Sequence, residues 1–358
     1  MVPPAGAIGG KPTRGNATVD RIGPGCDSRH GYAEETLENW RALGSPAAVG
    51  RVARIDRGWS TVLHAVEGPT SRVRNIGADV AVGDFVVIDD NGERVQHVLT
   101  RRSAFVRRAS FAGAVAESHT LAANVDHVLL IHALTSPPNQ RRLERELVLA
   151  WDSGAVPVVV LTKVDLVDEA DDAVAALEEV APGVDVRVAS GISGEGVDAL
   201  RALAGDRGTL ALLGASGVGK STLVNSLVGH ARQATADVRE DQRGRHTTTA
   251  AELVALAGGG WLIDTPGVRA VSLWSSGHGI ERAFADVFEL MDHCRFRDCK
   301  HEGEPDCAVT AAVEAGTLDP RRLGSMKRLV AEEAVIEDEQ RAKEKALDRR
   351  GARRPRPR

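Results

Sequence analysis

The sequence predicts an α/β fold in which a doubly wound, mostly parallel sheet follows a small β-barrel and precedes a metal-binding segment. Three observations predict it. Apolar runs of strand length alternate with amphipathic stretches between 127 and 213. Five shorter strand-like runs, divided by turn residues, occupy 49–99. Three of the four cysteines fall within the fourteen residues 294–307.

Bulk properties set the limits. At 358 residues with 42% apolar content, the chain is long enough for two or three domains with real cores. Mean hydropathy is −0.17 and no run of 18 apolar residues occurs, so no membrane span is expected. The opening residues, from Met1 to Gly6, lack the charged-then-apolar order of a signal peptide, and a cytoplasmic protein is expected. The clustered cysteines do not read as a disulfide framework. Net charge is −5, yet the last ten residues hold six arginines and no acid. Arg101, Arg102, Arg107 and Arg108 form a second basic group, and such patches matter when the partner is a polyanion.

Residues 1–44 are rich in Gly, Pro and charge and read as a flexible extension with a short helix over 34–43. Over 45–108 the strand-like runs are 49–55, 60–66, 71–76, 84–88 and 94–99. Turn chemistry such as Asp56-Arg57-Gly58 and Asp89-Asp90-Asn91-Gly92 separates them. An OB-fold is the obvious five-stranded candidate, and an SH3-like barrel is also compatible. Trp59 suits either base stacking or a barrel core. Beyond 108 the expected strands are 127–134, 156–161, 184–189 and 209–213, with helices over 138–151, 170–180 and 197–203. In the first helix Leu143, Leu147 and Ala150 share a face, while Arg141, Arg142, Glu144 and Arg145 lie elsewhere. A sheet domain over 109–288 should bind its ligand at the carboxyl ends of its strands.

Chemistry concentrates at those strand ends. Gly214-Ala215-Ser216-Gly217-Val218-Gly219-Lys220-Ser221-Thr222 fills every fixed place of G-x-x-x-x-G-K-[ST], between an apolar strand and a helix. Glycines turn backbone N–H groups inward around phosphate oxygens, and the helix N-terminus adds positive charge. Lys220 then reaches the β- and γ-phosphates and the Ser221 hydroxyl ligates Mg²⁺. Thr162-Lys163-Val164-Asp165 resembles the guanine-recognition motif N/T-K-x-D. An Asp165 carboxylate accepts from guanine N1–H and its 2-amino group, whereas adenine presents an acceptor at N1. The Lys163 stem covers the base. Ser190-Gly191 resembles the element whose backbone N–H meets guanine O6. Asp264-Thr265-Pro266-Gly267 ends another apolar strand; Asp264 would hold Mg²⁺ through water and the Gly267 N–H would touch the γ-phosphate. One of Thr247, Thr248 and Thr249, with Thr248 the first choice, would complete the Mg²⁺ shell.

The order of these parts is informative. Base recognition (162–165, 190–191) precedes the phosphate loop and the D-T-P-G turn, whereas ordinary GTPases place it last. The set is complete but circularly permuted, with GTP and GDP as the expected nucleotides, and the mobile D-T-P-G turn leads directly into the C-terminal segment. There Cys294-x₄-Cys299-x-His301-x₅-Cys307 offers three thiols and one imidazole for a closed, structural Zn²⁺ site in surroundings too polar to form a core unaided. His293 is a rival fourth ligand, awkwardly adjacent to Cys294. The zinc segment spans 289–335, and a charged helix over 320–350 leads into the tail assigned to 336–358.

Permuted GTPase motifs, a preceding small barrel and this cysteine spacing together resemble the ribosome small-subunit-dependent GTPase A family over roughly 45–330. Val80-Ala81-Val82-Gly83-Asp84 and 244–249 resemble that family's segments as well. The resemblance implies GTP hydrolysis stimulated by the small (30S) ribosomal subunit late in its maturation. It also implies contacts from the OB-like and zinc parts to 16S rRNA, and a monomer is expected. Ras-like enzymes carry a catalytic Gln where this chain has Val268, so another group must orient water, and His246 is the candidate. Three other readings stay open: a nucleotide-gated RNA-binding protein, a P-loop NTPase that uses ATP, and a permuted GTPase of another ribosomal particle.

Overall fold

The structure is a computed structural model and describes residues 34–44, 49–64, 69–108, 118–136, 139–229, 251–264 and 278–351. Helix α1 covers Glu34–Ala42, where the short helix was expected. All five expected barrel strands follow: β1 (Val49–Asp56), β2 (Trp59–Leu63), β3 (Thr70–Arg74), β4 (Phe85–Ile88) and β5 (Val95–Val98). Strand β1 pairs antiparallel with β2 and β4, β2 with β3, and β4 with β5. A parallel bridge between Arg74 and Arg94 brings β3 beside β5, so the pairing closes into a ring. Closure removes the exposed edges that an open sheet would leave. Val52, Val62, Val73, Val86, Ile88 and Val95 fill the interior. In β3 the period of two is plain, with Val73 inside and Arg72 and Arg74 outside.

Two strands went unforeseen. β6 (Ala104–Arg108) and β7 (Ser118–Ala123) pair as a separate antiparallel ribbon that straddles the expected boundary at 108. The basic group there is also not a solvated strand end throughout. Arg101 donates to buried Asp84 at 2.7 and 2.8 Å and to Asp79 at 3.1 Å, and Arg102 pairs with Asp126 at 2.7 Å. Burial pushes the Asp84 carboxyl up, against the pull of Arg101.

The sheet domain has the predicted alternation. Its elements are β8 (His127–Ala133), α2 (Gln140–Ser153), β9 (Val156–Thr162), α3 (Asp171–Val180), β10 (Asp185–Ala189), α4 (Val197–Ala204), β11 (Thr209–Gly214), α5 (Lys220–Val228), β12 (Glu252–Ala255) and β13 (Trp261–Asp264). They align as β10-β9-β8-β11-β13-β12, parallel except for antiparallel β12. β8, β9 and β11 are apolar almost throughout because helices cover both their faces. Asn139 caps α2 by accepting from the Arg142 N–H at 3.1 Å, a contact worth about 1 kcal/mol, and Gly154 ends the helix in the left-handed region. Leu143, Leu147 and Ala150 are buried as expected. Glu144 departs from expectation: it is 1% exposed and lies 3.7 Å from the Arg322 guanidinium.

The barrel joins this sheet edge to edge, through β1 pairing with β12 at Arg54 and Glu252. Arg51 strengthens the seam from inside. Fully buried, it donates to the Thr209 hydroxyl at 2.7 Å, and its guanidinium lies 4.9 Å from the Phe85 ring centroid and 5.7 Å from that of Trp261.

The C-terminal part comprises α6 (His278–Ala283), α7 (Ala285–Met291), α8 (Ala308–Glu314) and α9 (Pro320–Gly351). Helix α9 runs unbroken through the boundary expected at 335. Contrary to the expectation of a coreless segment, Cys307, Val309, Ala312, Met326 and Leu329 enter the same apolar core as Leu143, Leu147 and Phe284. Arg322, 4% exposed, locks α9 in place. It donates to Asp286 at 2.5 and 2.6 Å and to the carbonyls of Val180 and Ala283 at 2.8 Å each. Among the described residues no helix is long and apolar enough to cross a membrane.

Candidate nucleotide site and metal centre

Parallel pairing decides where the motifs meet. Ala189 of β10 stands opposite Thr162 of β9, Thr162 opposite Ala133 of β8, and Ile131 of β8 opposite Gly214 of β11. Ala211 pairs with Ile263, which puts Asp264 on the same rim. The residues that follow these strand ends (162–165, 190–191, 214–222 and 264) therefore share one edge, although about a hundred positions separate the first from the last.

The phosphate loop has the backbone its glycines predict. Gly214 has φ of 148°, and a Cβ there would lie 2.5 Å from the Ile131 carbonyl, so only glycine fits where β11 presses on β8. The loop then turns through Ala215, Ser216, Gly217 and Val218 into Gly219, the N-cap of α5, which leaves the first amides of α5 free of a side-chain cap. Lys220 folds its ammonium onto the mouth of the loop, donating to the Gly214 carbonyl at 2.8 Å and to that of Ala215. Ser221 and Thr222 are exposed in the first turn of α5. A loop that holds a cation against its own carbonyls while offering uncapped amides fits a bound polyphosphate and its metal ion.

Two contacts tie base and phosphate motifs together. The buried Thr162 hydroxyl bridges the carbonyls of His132, at 3.1 Å, and Val218, in the phosphate loop. Gly191 backs onto the start of α5, where a Cβ would meet the Thr222 carbonyl carbon at 2.7 Å. Lys163 adopts a left-handed conformation with φ of 64°, and Asp165 stands exposed in the short 3₁₀ turn Val164–Leu166. The Ser190 hydroxyl accepts from the amides of Ile192 and Ser193, both at 3.1 Å, which fixes its loop. His246, Thr248 and Gly267 lie outside the described residues, as do Thr247, Thr249 and Val268.

The cysteine segment gathers as expected. The ligand atoms of Cys294, Cys299, His301 and Cys307 all lie within 4.8 Å of one another. Cys294 Sγ is 3.9 Å from Cys307 Sγ, and His301 Nδ1 is 3.6 Å from Cys294 Sγ and 3.4 Å from Cys307 Sγ. A tetrahedron built on Zn–S and Zn–N bonds has edges of about 3.5–3.8 Å, so the donor set fits zinc. Burial alone would raise the Cys307 thiol, but the Thr310 N–H at the start of α8 and the His301 ring draw it down to about 6. Sequence reasoning missed Glu304. Its carboxylate accepts from the amides of Lys300 at 2.8 Å and Glu302 at 2.7 Å, shaping the loop that carries His301. Carboxylate-to-amide closure over so few residues leaves no periodic mark in sequence.

A parallel sheet carrying a phosphate loop, with the guanine motif ahead of it in the chain, defines the class of circularly permuted P-loop GTPases. The comparisons agree. A family model described as RsgA GTPase matches residues 98–274. The small ribosomal subunit biogenesis GTPase RsgA of Streptomyces coelicolor is 44% identical over 315 residues, covering 84% of this chain and 85% of that protein. Its namesake in Methanosarcina acetivorans is 40% identical, over 74% and 73% of the two chains. The crystal structure of YjeQ from Thermotoga maritima aligns with a TM-score of 0.59 at 26% identity, over 80% of this chain and 98% of that one. YloQ, described as a circularly permuted GTPase, aligns at 0.57 and 24% identity, over 81% and 96%, and supports the fold. The chain belongs to the RsgA GTPase family.

Proposed function

We propose that this protein hydrolyses GTP in the biogenesis of the small ribosomal subunit and works as a cytoplasmic monomer that contacts 16S rRNA. One observation supports the reading above others: the base, phosphate and metal motifs share one rim of one sheet, with Thr162 bonded to the phosphate loop. In this reading Asp165 reads the guanine edge, Lys163 covers the base and the loop of Ser190 and Gly191 meets O6. The amides of 214–222 cradle the phosphates, Lys220 neutralises their charge, and Gly267 contacts the γ-phosphate. Ser221, Thr248 and Asp264 hold Mg²⁺, which supplies charge neutralisation at the oxygens of the transferring phosphate. His246 orients the attacking water when the particle is bound. Cys294, Cys299, His301 and Cys307 hold one Zn²⁺ that fixes the C-terminal part and takes no part in chemistry.

The working parts are the barrel (45–108, read as an OB-fold), the GTPase domain (109–288) and the zinc segment (289–335), with extensions at 1–44 and 336–358. Two aromatic side chains suit RNA. Trp59 lies on the outer barrel face, with the Arg72 and Arg74 guanidinium groups 5.3 and 4.9 Å from its ring centroid. Phe296 is exposed in the zinc loop, with Arg295 at 5.5 Å. Arginine flanking a stackable ring serves both the base plane and the phosphate.

The test is GTP turnover alone, with purified small subunits and with purified large subunits. Stimulation by the small subunit only, abolished in His246→Ala with GTP affinity kept, is expected. Equal stimulation by large subunits would favour another particle, and subunit release unchanged when a non-hydrolysable analogue replaces GTP would favour an RNA-binding protein gated by nucleotide.

A further inference from the structure

A trough runs between the N-terminal half of α2 and the first turns of α9. Two adjoining cavities of about 540 and 450 Å³ form it, and both are lined by Asn139, Arg141, Ser325 and Arg328. Arg142, Arg145 and Arg321 complete five arginines around it, against the carboxylates of Glu144 and Glu332. Three of the five are engaged: Arg142 with Glu146 at 2.8 Å, Arg145 with Glu332 at 2.6 Å and Arg321 with Asp319 at 2.7 Å. Arg141 and Arg328 are exposed and have no carboxylate in bridging range among the described residues; Arg328 donates only to the Ser325 hydroxyl, at 2.7 Å. Glu144 sits at the floor, where one carboxylate oxygen accepts from Gln140 at 3.0 Å and lies 3.7 Å from Arg322, while the other is buried without a partner among the described residues.

Two further features suit an occupant rather than an accidental gap. The walls are fixed, because Arg322 bolts α9 to Asp286 and to the carbonyl of Val180 directly beside the trough. Gly324 lines it inside a helix, where glycine costs about 1 kcal/mol relative to alanine. No packing demands this: a Cβ there would meet only the tip of the Arg328 side chain, at 3.5 Å. The missing side chain keeps the trough open.

We propose that this trough holds the phosphodiester backbone of RNA, with Arg141 and Arg328 each facing a phosphate. Charge complementarity selects that occupant: two guanidinium groups without a carboxylate partner, flanked by three more, line the cleft. The proposal rests on the ribosomal reading above for its partner. It places an RNA contact between the GTPase domain and α9, beside the zinc loop, whose His301 carbonyl accepts from Lys327 of α9 at 3.2 Å.

The test compares Arg141→Glu/Arg328→Glu, and separately Gly324→Leu, with the unaltered protein. Binding to purified small subunits and to a labelled RNA hairpin is measured across a salt series. Each variant should weaken both affinities about tenfold or more. The charge variant should also lower the slope of log affinity against log salt by about 1.4 to 1.8, as two lost phosphate contacts require, while Gly324→Leu leaves the slope nearer its original value. GTP affinity should be unchanged in both. Unaltered affinity and slope on both probes would overturn the trough. If the unaltered protein bound RNA but not small subunits, the ribosomal reading would fall, while a loss on the hairpin would still uphold the trough.

Discussion

The sheet and the cysteine segment reach rigidity by opposite routes. The sheet needs no ion: β8, β9 and β11 are buried on both faces, and their side chains pack to near-zero exposure. The loop of 294–307 offers polar residues and a Cys₃His donor set, of which Cys307 is buried in the main core while Cys294 and Cys299 pack against its margin half-buried. Burial can therefore aim distant motifs at one rim, whereas a metal ion held by the Cys₃His set would fix a loop too polar to be fixed by burial. The two routes meet at α8, which Cys307 both caps and anchors.

Removing the side chain at the centre of the rim should have the largest effect. Lys220→Ala should lower GTP turnover by about 10² to 10³-fold, the usual cost of deleting one preorganised charge donor, without altering the melting temperature of the sheet. Steady-state kinetics beside calorimetry checks this. Stripping zinc tests the other route. Chelation should make 294–307 sensitive to protease while GTP affinity stays within about twofold, and metal analysis should find one ion per chain before treatment. Cys307→Ala should be harsher than Cys299→Ala, since it also removes the cap that accepts from the Thr310 N–H and a core contact.

The joint between the two regions comes next. Arg322→Met should destabilise by about 3–5 kcal/mol in denaturant titration, because the buried Glu144 carboxylate loses its cation and the half-buried Asp286 carboxylate and two carbonyls lose their donor. A cost below about 1 kcal/mol would show that α9 is held by apolar contacts alone. The smallest shift in stability belongs to Asp165→Asn, which should fold normally and exchange preference for guanosine for preference for xanthosine nucleotides. Competition binding with the two triphosphates reads the swap.

Much of this was legible in the chain. Every expected strand and helix of the sheet domain occurs, because apolar runs of 5–7 residues between amphipathic stretches admit few other folds. The gathering of Cys294, Cys299, His301 and Cys307 was legible in their spacing. What stayed hidden depends on contacts made across the fold. β6 and β7 are short and carry polar residues, so neither shows a buried-strand pattern. Glu144 looked like a surface charge, and only the approach of Arg322, 178 positions away by the numbering, makes it a buried one. Arg51, Arg101 and Arg322 share that character: a lone arginine in a sequence gives no sign that it bolts two elements together.

The central claim is convergence around one nucleotide, and a crystal structure with Mg²⁺ and a non-hydrolysable GTP analogue tests it most directly. The account predicts the guanine edge against the Asp165 carboxylate, the β- and γ-phosphates on Lys220 and the loop amides, and the metal ion between Ser221 and Asp264. A purine ring lying away from Asp165, or phosphates seated off the 214–222 loop, would contradict it.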